Sequence, residues 1–321
     1  MCRVGALRRT PLFRTAGMNW EQARKLLFHK RHGAPLKGPA LAPRRDIDEL
    51  TAVRAASICI ASGKGGTGKS VVTASLATLL ARSGRTLIVD ADMGVGNAHI
   101  LHNLSPAHSF VDVVEGRLSV REVLVHARPQ LDLLAAGSGV SRMAGLSNYE
   151  MHLVACGIES LESDYQRVLI DSAAGISMQT VAFAAASDVV LIVTTPDVTA
   201  LTDAYAFLKV FTQRRADCVP LFVVNRATDE TEALAVAERF RAVSRKFLSR
   251  EPRSIGWIPD DRAVVRSVSA REPVVVAEPE SPAAQALQRI ALELQQEIAA
   301  HHARGLGRQL LRTVGYTPKS A

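Results

Sequence analysis

Between Ser57 and Ile258 the chain alternates short, almost continuously apolar runs with longer stretches in which apolar residues recur at helical spacing. The runs Ser57–Ala61, Thr86–Asp90, Leu131–Ala135, Arg167–Asp171, Val189–Thr195, Pro220–Asn225 and Ser254–Ile258 read as strands. Strands apolar on both alternating sides belong to a sheet covered on both faces, so the pattern predicts an α/β fold with a mostly parallel sheet and crossover helices on each side. Ligands of such sheets bind beyond the carboxyl ends of the strands. The residues that follow each run are therefore where chemistry is expected.

The first run leads into Gly63-Lys64-Gly65-Gly66-Thr67-Gly68-Lys69-Ser70. The spacing G-x-x-x-x-G-K-[ST] frees a loop of bulky side chains, so that successive backbone N–H groups can surround a polyphosphate. Lys69 is placed to reach the β- and γ-phosphates, and Ser70 to offer its hydroxyl to Mg²⁺. The helix opening at Lys69 adds its positive end.

Two acids, Asp90 and Asp92, stand at the end of the second run, and a third, Asp171, closes the run Arg167–Asp171 before the small residues Ser172–Gly175. Each suits a helix cap or a turn. Beside a nucleotide with Mg²⁺, each also suits holding the metal or orienting water, and Gly175 suits a turn that moves with the γ-phosphate. Asn225 ends another run; its amide carries the donor and acceptor needed to read a purine edge. Pro259, in Gly256-Trp257-Ile258-Pro259-Asp260-Asp261, can supply a flat apolar wall.

The string KGGTGKS resembles the deviant Walker A loop of the MinD/ParA class of P-loop ATPases. That resemblance implies that Lys64 reaches across a dimer interface to the partner's nucleotide. Asp90, Asp92, Gly94 and Asn97 match the class's DxDxGxxN segment, whose second acid activates water, which makes Asp92 the hydrolytic candidate. Asp171 to Ile176 match D-[ST]-x-A-G-I, and the segments holding Asn225, Pro259 and Asp261 match those that contact adenine, implying ATP. Thr194–Ala206, with Ser138-Gly139-Val140 and Met143-Ala144, resembles the FlhG (FleN/YlxH) group, which sets flagellar number and placement. The likeness spans about Ser57 to Val276. Two positions depart from it: His99 replaces a usual acid and Asn103 a usual Gly, which leads us to expect altered effector contacts.

Charge divides the chain further. Residues 1–45 carry a net +10 and residues 301–321 a net +4 out of a total of +8, so the stretch between them is net acidic. The expected organisation is a basic extension over 1–45, a nucleotide-binding body over 46–300 and a basic amphipathic segment over 301–321. Basic tails suit lipid, nucleic acid or an acidic partner, or are simply solvated. The first 17 residues read as an over-long gene start, with Met18 opening a helical segment, and Gly33–Arg45 reads as a linker. Trp20–Leu27 resembles the element through which FlhG proteins stimulate the FlhF-type GTPase, with Glu21 replacing an Asp. At the other end Leu306, Leu310, Leu311 and Val314 share a helical face opposite Arg304, Arg308 and Arg312. That face fits either a reversible membrane-surface contact, as in MinD-type proteins, or docking on the protein's own body.

No apolar stretch is long enough to span a bilayer. The four cysteines show no metal-like spacing and read as reduced, buried thiols, which excludes the cluster-bearing relatives of the class and points to a cytoplasmic protein. The combined expectation is an ATP- and Mg²⁺-dependent homodimer that hydrolyses ATP slowly and controls flagellar assembly through an FlhF-type GTPase or a flagellar transcription regulator. Two alternatives remain: a ParA-type positioning ATPase that binds DNA non-specifically, or an anti-activator that sequesters the regulator.

Overall fold

The structure is a computed structural model and describes residues 54–94, 96–137 and 145–314. The chain divides into two units, Met1–Thr51 and Ala52–Ala321, and the described residues all lie in the second. The first 17 residues, the expected N-terminal helix around Glu21, the linker, and the segments Ser138–Val140 and Met143–Ala144 lie outside the described residues.

Eight strands form one sheet: β1 (Ala56–Ala61), β2 (Thr86–Ala91), β3 (Leu124–Arg128), β4 (Leu131–Leu134), β5 (Arg167–Ser172), β6 (Val189–Thr194), β7 (Leu221–Ala227) and β8 (Arg253–Pro259). Their order is β3-β4-β2-β5-β1-β6-β7-β8, and every pairing is parallel except β3 with β4. All seven expected strands are present. The eighth, β3, was not read from the sequence: it is a half-exposed edge strand, and Leu124-Val125-His126-Ala127-Arg128 lacks the continuous apolar signature of strands covered on both faces.

Ten helices accompany the sheet among the described residues: α1 (Lys69–Leu80), α2 (Phe110–Val114), α3 (Asn148–Leu161), α4 (Met178–Ala186), α5 (Val198–Arg214), α6 (Glu230–Leu248), α7 (Arg262–Ser269), α8 (Val274–Ala277), α9 (Pro282–Ala300) and α10 (Leu306–Val314). The period of two in the strands divides the core. Cys59 and Ala61 of β1 face the layer built from α3 to α6, whereas Ile58 and Ile60 face the layer of α1, α8 and α9. Starts are set chemically: Ser147 with Glu150 forms a reciprocal cap on α3, and Asp197 and Asp229 cap α5 and α6.

Of the two placements the sequence leaves for the C-terminal segment, α10 takes the second. It packs against α3 and α4, with Leu306 and Leu310 fully buried, so these leucines are not available to a lipid surface in this arrangement. Burial of two leucines contributes about 3–6 kcal/mol. The backbone N–H of Gly307 donates to Glu162 Oε1 at 2.6 Å, and Arg304 donates from its backbone N to Asp188 Oδ1 at 3.0 Å and from its guanidinium to the Ser187 carbonyl. Arg304 is thus a clamp on the body and not part of a solvated basic stripe. Among the described residues no helix is long and apolar enough to cross a membrane.

The cysteine expectation needs one correction. Cys59 is buried and Cys218 partly so, while Cys2 lies outside the described residues, but Cys156 is exposed on α3, its Sγ 3.5 Å from His152 Nε2. Its neighbours in sequence are apolar, yet a helix distributes neighbours over all its sides.

Candidate functional site

The glycine-rich loop joins β1 to α1 at the carboxyl edge of the sheet. Gly68 has φ +87°, a left-handed conformation that favours glycine, and it precedes α1 without a side-chain cap. The first turn of α1 also carries no acid, so its N–H groups and positive end are left for an anion. Gly63 serves a different need: a Cβ there would lie 2.0 Å from the backbone of Asp203, so only glycine lets the loop lie on α5.

Lys69 Nζ donates to Asp171 Oδ1 at 2.6 Å, and Thr73 Oγ1 donates to the same oxygen at 3.2 Å; both charged groups are buried. Asp171 lies directly opposite Asp90 in the β2–β5 register. Burial, reinforced by the Asp171 charge, pushes the Asp90 carboxyl up to about 8. Asp90 accepts the backbone N–H groups of Asp92 at 3.2 Å and Ala98 at 3.1 Å, and a Cβ on Gly96 would meet its carboxylate at 2.5 Å. Asp90 therefore anchors the loop that carries Asp92. Asp92 itself stands half-buried just past β2.

The turn after β5 contacts the phosphate loop directly. Gly175, at φ +89°, donates its N–H to the Ser62 carbonyl at 2.9 Å. Beyond it Ile176 and Met178 are exposed, as is Val198 at the start of α5.

Lys64 is held within its own chain. Its Nζ lies 2.8 Å from Asp197 Oδ2 and also donates to Thr199 Oγ1. These bonds hold the Asp197 carboxyl down to about 2, Lys64 contributing most and the Thr199 N–H and hydroxyl the rest. A cavity of about 330 Å³ opens beside this pair, lined by Gly65, Gly66, Thr67, Pro196 and Arg226.

A second cavity, about 370 Å³, lies between Gly66, Gly68 and Val71 on one side and Pro259, Asp260, Val264, Val265 and Val268 on the other, with Asn225 in its wall. Its mostly apolar lining suits a base. Asn225 is buried and donates Nδ2 to the Thr67 carbonyl at 2.7 Å. Asp261 accepts the N–H groups of Ala263 at 2.8 Å and Ala283 at 3.1 Å, so it caps α7 and ties α9 to it, shaping the wall from behind.

The donors present fit Mg²⁺. Ser70 at the start of α1 and the half-buried Asp92 offer hard oxygens beside the loop, whereas the Asp90 carboxyl already accepts two backbone N–H groups, and among the described residues no group of three or more His, Cys, Asp or Glu could hold a metal by itself. A metal with few protein ligands suits an ion shared with phosphate oxygens.

The fold thus brings Lys64, Lys69, Ser70, Asp90, Asp92, Asp171, Asn225, Pro259 and Asp261 to one edge of the sheet. Sequence reasoning missed Asp197 and Thr199 as partners of Lys64, although their string was already singled out. It also missed the apolar wall from α7, whose Val264, Val265 and Val268 are legible as a helical stripe. Asn103 has a simple reason: with φ 54° it holds the left-handed turn for which Gly is usual, and Asn tolerates that conformation better than most residues.

A glycine-lined loop feeding the start of a helix, with buried Lys and Asp beneath it and an apolar slot beside it, defines a nucleotide-binding protein of the phosphate-loop class. More narrowly, the chain belongs to the CobQ/CobB/MinD/ParA nucleotide binding domain family, whose model matches residues 58–274. It is 31% identical to the antiactivator FleN of Pseudomonas aeruginosa over 73% of this chain and 84% of that one. It is 30% identical to the flagellum site-determining protein YlxH of Helicobacter pylori over 73% of this chain and 80% of that one. In fold it is similar to the septum site-determining protein MinD of Pyrococcus horikoshii OT3, solved in complex with Mg-ADP, with a TM-score of 0.64 at 24% identity over 77% of this chain and 98% of that one.

Proposed function

We propose that this chain is an ATP-dependent switch that closes as a homodimer around two nucleotides, hydrolyses ATP slowly and controls the number and placement of flagella. The observation that carries the reading is a half-exposed second lysine, Lys64, at the mouth of a complete phosphate loop, in a chain about 30% identical to an antiactivator and to a flagellum site-determining protein. The amides of Gly63, Lys64, Gly65, Gly66, Thr67 and Gly68 and the Lys69 ammonium bind the polyphosphate, and Asn225, Pro259 and the α7 wall take adenine. Ser70 and Asp92 would hold Mg²⁺, with Asp90 fixing the loop behind them; when bound, the ion would neutralise phosphate charge. Asp92 orients the attacking water, Asp171 positions Lys69, and Lys64 lends its charge to the nucleotide of the second copy. Exposed Ile176, Met178 and Val198 at the same sheet edge supply apolar surface for that copy.

The test is twofold. Sedimentation with a non-hydrolysable ATP analogue and Mg²⁺ should yield a dimer for wild type and a monomer for Lys64→Ala. Cells lacking the gene should change in flagellar number or position under the electron microscope. A chain that stays monomeric with saturating analogue overturns the switch, and unaltered flagellation overturns the role.

A second reading is favoured by the antiactivator among the relatives: the same switch sequesters a flagellar transcription regulator. Pull-down with that regulator and with an FlhF-type GTPase, with and without ATP, separates the two outputs.

A further inference from the structure

Asn225 is assigned above to the base, yet the hydrogen bond it makes is to the phosphate loop. We propose that Asn225 is a positioning residue for that loop, coupling the purine side of the site to the phosphate side. The proposal rests on the nucleotide-binding reading and adds a role to a residue of the same site.

Three observations carry it. Asn225 Nδ2 donates to the Thr67 carbonyl at 2.7 Å, across 158 residues of sequence, so the contact is a tertiary link and not a turn. The amide presses on the next residue too: a Cβ on Gly68 would lie 2.2 Å from Nδ2. The strand end that presents Asn225 is irregular, since the β7–β8 register shifts between Asn225 and Ala227 and the intervening Arg226 sits at φ 61°, a left-handed conformation costly for a bulky residue. That backbone is held by the Arg226–Asp260 ion pair at 3.3 Å and by the Asp260 N–H on the Ala227 carbonyl at 2.9 Å.

The consequence follows from peptide geometry. In a planar trans peptide the C=O and N–H point opposite ways, so fixing the Thr67 carbonyl toward Asn225 turns the Gly68 N–H away from it and orients that donor within the loop. A carbonyl can only accept, so the amide nitrogen must face Thr67. Oδ1 and the second Nδ2–H are then the bonding positions left for a ligand. One hydrogen bond thereby orients the Gly68 donor of the loop from the purine side of the site.

The experiment uses the full chain as wild type, Asn225→Ala and the isosteric Asn225→Asp, in two measurements. First, amide exchange without ligand is followed in peptides covering residues 63–70. Both variants should exchange faster there than wild type, while peptides from β5 remain unchanged. Second, calorimetry measures Mg²⁺ with inorganic tripolyphosphate, a probe that has no base. Asn225→Ala should bind it about threefold to tenfold more weakly, and Asn225→Asp more weakly still because its carboxylate faces the Thr67 oxygen. Loop exchange and tripolyphosphate affinity equal in all three proteins would overturn the proposal, even if ATP loses its advantage over GTP; Asn225 would then read only the base. Faster exchange in the β5 peptides as well would reduce its role to general stability and also overturn it. Wild type binding neither Mg·ATP nor tripolyphosphate would sink the nucleotide reading itself, while loop exchange would still report whether Asn225 holds the loop.

Discussion

Lys64 and Asp197 form an ion pair 2.8 Å long within one chain, so the lysine that the dimer reading sends to a partner's nucleotide is already held at home. Both side chains are close to half exposed, which makes the pair weak and easily exchanged for a phosphate. Removing the carboxylate charge while keeping an acceptor for the α5 cap should free Lys64. Asp197→Asn is expected to lower the analogue concentration that half-saturates dimerisation by about threefold, read by sedimentation across a titration. Unchanged or weaker dimerisation would show that the pair does not compete with the interface.

The Lys69–Asp171 pair makes a contrasting case, because both partners are buried. Lys69→Ala should abolish nucleotide binding and also leave Asp171 without its cation. Breaking one side of a buried pair costs about 3–5 kcal/mol. Denaturant unfolding without nucleotide should therefore reveal a stability loss of that order. A variant as stable as wild type would mean that Asp171 does not depend on this lysine.

Asp92 is the residue assigned to water. Asp92→Ala should retain ATP binding and lower phosphate release by on the order of 100-fold, giving a dimer that persists with ATP itself. Equal phosphate release in the two proteins would remove Asp92 from the chemistry, leaving its neighbour Asp90 as the loop anchor only.

Glu162 supplies a pH dependence. Burial pushes its carboxyl up to about 7 despite the Gly307 N–H and Arg54 that favour the charged form. A carboxyl raised in the folded state stabilises fully below its ordinary value near 4.5, and that contribution is lost as pH rises through about 7. Subtracting the curve of Glu162→Gln from that of wild type should isolate a decline in unfolding free energy between these pH values. A flat difference would show that Glu162 titrates alike in folded and unfolded chains. Because Glu162 receives the Gly307 N–H, exchange at residues 305–314 should follow the same pH range.

Much of this molecule is legible locally. Runs such as Ser57–Ala61 and Arg167–Asp171 are apolar on both sides because the strands they form are covered on both sides, and one sequence window records that. The loop Gly63–Ser70 is equally plain, since its chemistry resides in backbone donors that glycine spacing exposes. The acids at the strand ends could be placed at the carboxyl edge from the strand pattern alone.

What only the tertiary structure decided are the partners. Lys64 meets Asp197 across 133 residues and Asn225 meets Thr67 across 158, while the apolar face of α10 lies on α3 and α4 in the described structure. Hydrophobic period states which side of an element is buried, but not which element covers it. That choice depends on strand order and helix crossing, set by the packing of the whole chain. The edge strand β3 stayed hidden for the same reason: half exposed, its residues record no two-sided burial, and its pairing with β4 supplied what periodicity did not.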